Sequence, residues 1–155
     1  MTVRSTRNIH WSNKTPILTV STPALSRLRL SGAGTFTAHD PIVADSFALR
    51  LDGAATGRAE LDVGSLSVEM SGAGDFELSG KAGSAKFDLA GAGKVDALSL
   101  KTADASINLA GVGTVRVSCS DSLSIKAGGM GTIEYRGDPK VELDKGGLVS
   151  VRKVD

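Results

Sequence analysis

Apolar residues alternate with polar ones on both sides of a recurring glycine turn, and the alternation persists through most of the chain. Gly-x-Gly occurs at Gly32-Ala33-Gly34, Gly72-Ala73-Gly74, Gly91-Ala92-Gly93, Gly111-Val112-Gly113 and Gly129-Met130-Gly131. A degenerate copy, Gly53-Ala54-Ala55, fills the gap after the first, and Lys145-Gly146-Gly147 follows the last. With the first residue of each triplet as anchor, the anchors stand at 32, 53, 72, 91, 111, 129 and 145. Their spacings are 21, 19, 19, 20, 18 and 16 residues.

Four and two residues before the anchors lie Leu28 and Leu30, Leu49 and Leu51, Val68 and Met70, Phe87 and Leu89, Ile107 and Leu109, Ile125 and Ala127, then Val141 and Leu143. Four residues after them lie Phe36, Gly57, Phe76, Val95, Val115, Ile133 and Val149. A side-chain period of two belongs to a β-strand, whose successive residues face opposite sides. No segment holds a helical period. A strand-turn-strand unit of about 20 residues has one apolar face and no core of its own, so copies must stack. The pattern predicts an all-β parallel β-helix of about seven coils in a single domain over 1–155. Its repeats would occupy 16–153, after an irregular segment at 1–15. At ~4.8 Å per layer, seven coils span roughly 30 Å. An antiparallel sandwich would call for Asn-Gly or Asp-Gly hairpins and no register shared between distant segments. The common register favours the solenoid.

Composition narrows the function classes. The apolar share of 41% supports a continuous core, and 19 glycines without a Gly-X-Y period exclude collagen. A net charge of +1 provides no field for nucleic acid or anionic membrane. A nucleic-acid partner is further excluded by the lack of a basic stripe interleaved with aromatics. No stretch approaches the roughly 18 apolar residues of a membrane span. The segment Met1 to Lys14 is polar and lacks the apolar run of a secretory signal, so either the protein is cytoplasmic or its signal has been removed.

Outward positions are where function would reside. Three residues before the anchors they read Arg29, Arg50, Glu69, Asp88, Asn108, Lys126 and Glu142; five after, Thr37, Arg58, Glu77, Asp96, Arg116, Glu134 and Ser150. Most neighbours alternate in sign, as cross-strand pairs on a solvated face should. The exception is Glu69 over Asp88 and Glu77 over Asp96, with Asp75 beside the second pair. Clustered carboxylates at Asp75, Glu77 and Asp96 suit a calcium ion or an acid/base pair for polysaccharide cleavage. Arg58 and Arg116 flank them and favour a structural role, so no catalytic, cofactor or metal residue is assigned.

Other motifs carry less. His10 and His39 have no ligand-spaced partners. Cys119 cannot form an internal disulfide and lacks an activating neighbour, which suits a small half-buried residue. Gly-x-Gly as a phosphate loop would need a third glycine and a following helix, and a strand follows instead. At the C-terminal end, Arg136-Gly137-Asp138-Pro139 shortens the last coil, and Arg152, Lys153 and Asp155 add charge that blunts an edge. At the other end Met1 to Arg4 and Pro16 to Val20 read as strands, with Ser5 to Thr15 and Trp11 folding over. No cap precedes them, which implies a truncated N-terminus or pairing with another subunit through the coil ends.

The turns Leu30-Ser31-Gly32-Ala33-Gly34 and Met70-Ser71-Gly72-Ala73-Gly74-Asp75-Phe76-Glu77-Leu78 resemble those of the head GIN domain family, proposed to be auto-transporter adhesins. So do Thr22-Pro23-Ala24-Leu25 and the closing Gly131-Thr132-Ile133-Glu134-Tyr135-Arg136-Gly137-Asp138-Pro139. The resemblance runs from about Pro16 to Lys153 and covers only the repeat-rich C-terminal part of the usual domain. It implies a right-handed, pectin lyase-like β-helix without catalytic residues, exported to the bacterial envelope with its signal absent from this chain. The expected function is a non-enzymatic adhesin-like module binding a cell-surface or matrix ligand. A self-assembling scaffold and a polysaccharide-active enzyme are the alternatives.

Overall fold

The computed structural model describes residues 27–38 and 41–154. The expected strands at Met1 to Arg4 and Pro16 to Val20, the segment around Trp11, and both histidines lie outside them. Ten strands run in chain order: β1 (Arg27–Leu30), β2 (Ala33–Thr37), β3 (Ile42–Leu51), β4 (Ala54–Met70), β5 (Ala73–Leu89), β6 (Ala92–Leu109), β7 (Val112–Ala127), β8 (Met130–Arg136), β9 (Lys140–Lys145) and β10 (Leu148–Lys153). Every pairing is parallel, and each strand from β3 to β8 pairs with strands a coil earlier and a coil later, while β1, β2, β9 and β10 pair on one side only among the described residues. The described residues form a β-solenoid of about seven turns with no helix, as the repeat predicts.

The glycine corner is in register from end to end. Ala33, Ala54, Ala73, Ala92, Val112, Met130 and Leu148 lie one above another, each just after a corner glycine. Gly91 shows why glycine is needed: a Cβ there would fall well inside the carbonyl oxygen of Gly72 in the coil below. Successive backbones approach too closely at this corner for any side chain.

One register differs from expectation. Ile133 pairs with Val151 and Ile125 with Leu143, so the last corner is Gly147, not Lys145. The final spacing from Gly129 is then 18 residues, equal to the one before it, and the last coil is not shortened. Counting from the first residue of a Gly-x-Gly triplet misled here, because the last corner retains only the glycine that makes the close approach.

Coil length varies elsewhere in the turn. The pairing shifts between Glu77 and Ser79, between Ala97 and Lys101, and between Thr102 and Asp104. All of these lie five to thirteen residues after a corner glycine. Extra residues are absorbed there as bulges, and the flanks of the glycine corner keep their alignment.

The core is a bundle of columns rather than a single centre. Leu28, Leu49, Val68, Phe87, Ile107 and Ile125 stack in one, all buried. Phe36, Gly57, Phe76, Val95, Val115 and Ile133 stack in another. Each buried Leu, Phe or Ile contributes about 1.5–3 kcal/mol by leaving water. Cys119 lies in this interior, more deeply than the half-buried position expected. Its Sγ is 2.8 Å from the Ser122 carbonyl oxygen and 3.0 Å from that of Ala103.

Candidate binding face

With the side chains of each strand divided between core and solvent, every outward position forms a straight row along the solenoid axis. The row five residues after the corner runs Thr37, Arg58, Glu77, Asp96, Arg116, Glu134 and Arg152. The corrected register puts Arg152 at its end in place of Ser150. It likewise puts Asp144, not Glu142, above Lys126 in the row three before the corner.

These rows neutralise themselves. Glu77 Oε2 accepts from Arg58 Nη2 at 2.7 Å, while Asp96 Oδ2 lies 3.4 Å from Arg116 Nη1 and 4.0 Å from Lys94 Nζ. The two stacked carboxylates therefore turn to arginines on opposite sides. Asp75 stands in a different row, between Thr56 and Lys94. Glu69 lies 3.5 Å from Arg50, and Asp88 accepts from Asn108 Nδ2 at 2.8 Å. Among the described residues, no three His, Cys, Asp or Glu side chains converge as metal ligands would.

Two carboxylates, one in these rows and one at a corner, are held below their usual range. Glu134 is only 5% exposed, between Arg116 Nε at 2.7 Å and the Arg152 guanidinium, whose Nε donates at 2.8 Å. The Arg152 hydrogen bonds chiefly hold its pKa down, against the desolvation that would raise it. Asp52, at the corner, accepts from Ser71 Oγ at 2.9 Å and pairs with Arg29 and Arg50. Its pKa is likewise lowered, by the Ser71 hydrogen bond first and the arginines after it.

A different side of the solenoid is open. Seven residues before the corner the rows read Ser46, Ser65, Ser84, Asp104 and Ser122; five before, Ala48, Ser67, Lys86, Ser106 and Ser124. Together they line a groove of about 750 Å³ along the axis, past Arg27 at one end. Ser122 donates to Asp104 at 2.5 Å. Ser46, Ser65, Ser67, Ser84, Ser106 and Ser124 form no side-chain hydrogen bond among the described residues, so their hydroxyls are free for a ligand. The sequence reading missed this face because it followed only the charged rows. The signal was available, since serine recurs at both positions in successive repeats.

A second groove, also about 750 Å³, lies where the β6 and β7 ladders bulge, and is lined by Lys81, Lys101, Thr102, Ser118, Ser120 and Asp138 among others. Thr102, buried, donates to the Ser118 carbonyl oxygen at 2.6 Å. No described helix is long and apolar enough to cross a membrane.

Comparison with known proteins agrees with the architecture. The family model described as "Putative auto-transporter adhesin, head GIN domain" matches residues 1–139. That match starts and stops earlier than the motifs suggest, leaving β9 and β10 beyond it. A crystal structure from Bacteroides fragilis described as "a putative adhesin" is similar, with 26% identity and a TM-score of 0.76. The similarity covers 86% of this chain and 62% of the other, so the chain spans less than two thirds of that protein's length. No curated protein matches the sequence.

Proposed function

Because the chain belongs to the head GIN domain family, we propose that it is a non-enzymatic, adhesin-like binding module of the bacterial envelope. It engages a cell-surface or matrix ligand along the serine-lined side of the solenoid, and works outside the cytoplasm.

The observation that carries this reading is the groove of free hydroxyls. It crosses six coils, about 24 Å from first to last at one layer per ~4.8 Å. A rigid row of donors and acceptors at fixed spacing suits an extended polymer better than a compact small molecule. Rigidity also helps affinity, since no loop has to be ordered on binding. The charged rows, by contrast, are occupied by their own ion pairs. The same pairing counts against polysaccharide cleavage by Glu77 and Asp96, because each carboxylate is committed to a separate arginine.

The test is binding of the purified 155-residue chain to immobilised extracellular-matrix proteins and glycans. Ser65→Arg with Ser84→Arg fills the groove from exposed positions that do not touch the core. Binding lost in that variant, with thermal stability unchanged, supports the reading. Binding that survives it, or a chain that binds none of these surfaces, sinks it.

A further inference from the structure

The last described coil has a strand edge without a described partner. β9 pairs with β7 on one side, and no described strand pairs with its other side. Val141 and Leu143 stand over Leu123 and Ile125, in columns that are buried in each preceding coil. Yet they are 39% and 47% exposed. They stand in core columns without a covering layer among the described residues. Leu148, 78% exposed at the adjoining corner, widens the apolar surface. Between them the outward side chains are charged, and Lys140, Glu142 and Asp144 form no ion pair among the described residues.

We propose that this edge is an interface between two copies of the chain, made by antiparallel addition of one β9 to another about Glu142. The segment Lys140-Val141-Glu142-Leu143-Asp144 complements itself when reversed. Lys140 then faces Asp144 of the partner subunit on the solvent side, and Asp144 faces Lys140 of the partner subunit. Val141 meets Leu143 of the partner subunit on the core side, in both directions. Glu142 faces Glu142 of the partner subunit across the two-fold axis, a like-charge pair offset by the Lys140 side chains diagonal to it.

Register makes this arrangement specific. A slip of one residue would put apolar inward residues opposite charged outward ones, so only alignments that keep the faces matched are open. Centring on Leu143 instead sets Glu142 against Asp144, a like-charge pair that is destabilising. Centring on Val141 pairs Lys140 with Glu142 but engages only three residues of β9, whereas centring on Glu142 engages five and sets two opposite-charge pairs and two apolar pairs against one like-charge pair, with main-chain hydrogen bonds at an otherwise open edge. A two-fold contact of one edge with itself closes at two subunits. This inference is independent of what the groove binds.

Sedimentation of the 155-residue chain over rising concentration tests it, and a monomer–dimer equilibrium is expected. Lys140→Asp turns both opposite-charge pairs into repulsions and weakens dimerisation roughly tenfold. Adding Asp144→Lys to it exchanges the partners and restores the wild-type constant. Glu142→Cys forms a disulfide-linked dimer on oxidation, since opposed residues at an antiparallel pair lie about 4.5–5.5 Å apart between Cα atoms. These substitutions sit on the solvent face of the terminal coil, and circular dichroism with a melting curve confirms that each variant is folded. A monomer at all concentrations, filaments in place of dimers, or a double variant as weak as Lys140→Asp alone overturns the proposal.

Discussion

Phe76 lies across Gly57 in the coil below, its Cε1 and Cδ1 standing 2.5 and 2.6 Å from where a side chain on that glycine would begin. Phe36 occupies the same column one coil earlier. Two phenylalanines therefore share the space of three inward residues, with the glycine as spacer. Gly57→Ala forces the buried ring aside, and overpacking of this kind costs about 1–3 kcal/mol. Phe76→Leu removes the ring edge, so the same glycine substitution costs less in that background. Chemical denaturation of the four proteins of this cycle measures the difference, and equal costs in both backgrounds would refute the account.

A corner glycine and the glycine preceding a corner differ in what surrounds them. A Cβ on Gly91 would overlap the Gly72 backbone, whereas one on Gly128 meets nothing within 4 Å. Gly91→Ala is expected to cost more than about 4 kcal/mol, since two backbones would have to separate. Gly128→Ala is expected to be neutral or to stabilise by about 0.4–1 kcal/mol, through a less flexible unfolded chain. Thermal melts of the two variants separate a steric role from a general tolerance of alanine at the turn.

Glu134 makes stability depend on acid. Its pKa in the folded chain is lowered from the ordinary 4.5, so its contribution is present above that value and is lost as pH falls through the folded one. Melting temperature should fall as pH is lowered below about 4.5. Glu134→Gln loses that dependence in part and starts from a lower value at neutral pH, because Arg152 and Arg116 no longer face a charge. A wild-type and a Gln variant with parallel pH profiles would contradict this.

Calcium should leave the wild-type melting temperature unchanged. Arg58 and Arg116 hold Glu77 and Asp96 at 2.7 and 3.4 Å and turn them apart. Replacing both arginines with Ala leaves Glu77 without its cation and Asp96 with only Lys94 at 4.0 Å, and that variant should be stabilised by added calcium. A wild-type protein that gains stability in calcium would show that the arginines yield to the ion.

The fold was legible because a solenoid repeats its instructions. Leu28, Leu49, Val68 and Phe87 announce one column in sequence before they form it in space, and six of the seven corners follow directly. The last corner was misplaced because Lys145-Gly146-Gly147 has the outward form of the triplet, while the steric demand falls on Gly147 alone. The carboxylate cluster was also visible, since Glu77 and Asp96 occupy equivalent positions. Its pairing with Arg58 and Arg116 follows from the same rows. The serine groove was harder to see: hydroxyls have no charge pattern, and concavity depends on the shape of the whole side rather than on any one repeat. Cys119 was assigned too shallow a position, although Val115, Val117 and Cys119 continue one inward alternation from which its depth can be read.

The uneven coils have a further consequence. Residues are gained and lost only in the stretch from five to thirteen after each glycine, while the glycine corner tolerates no slip. The molecule thus has a stiff seam and an elastic one. Added loops can grow from the elastic seam, beside the groove of Lys81 and Lys101, without disturbing the stack. Variation can accumulate there while the scaffold keeps its shape.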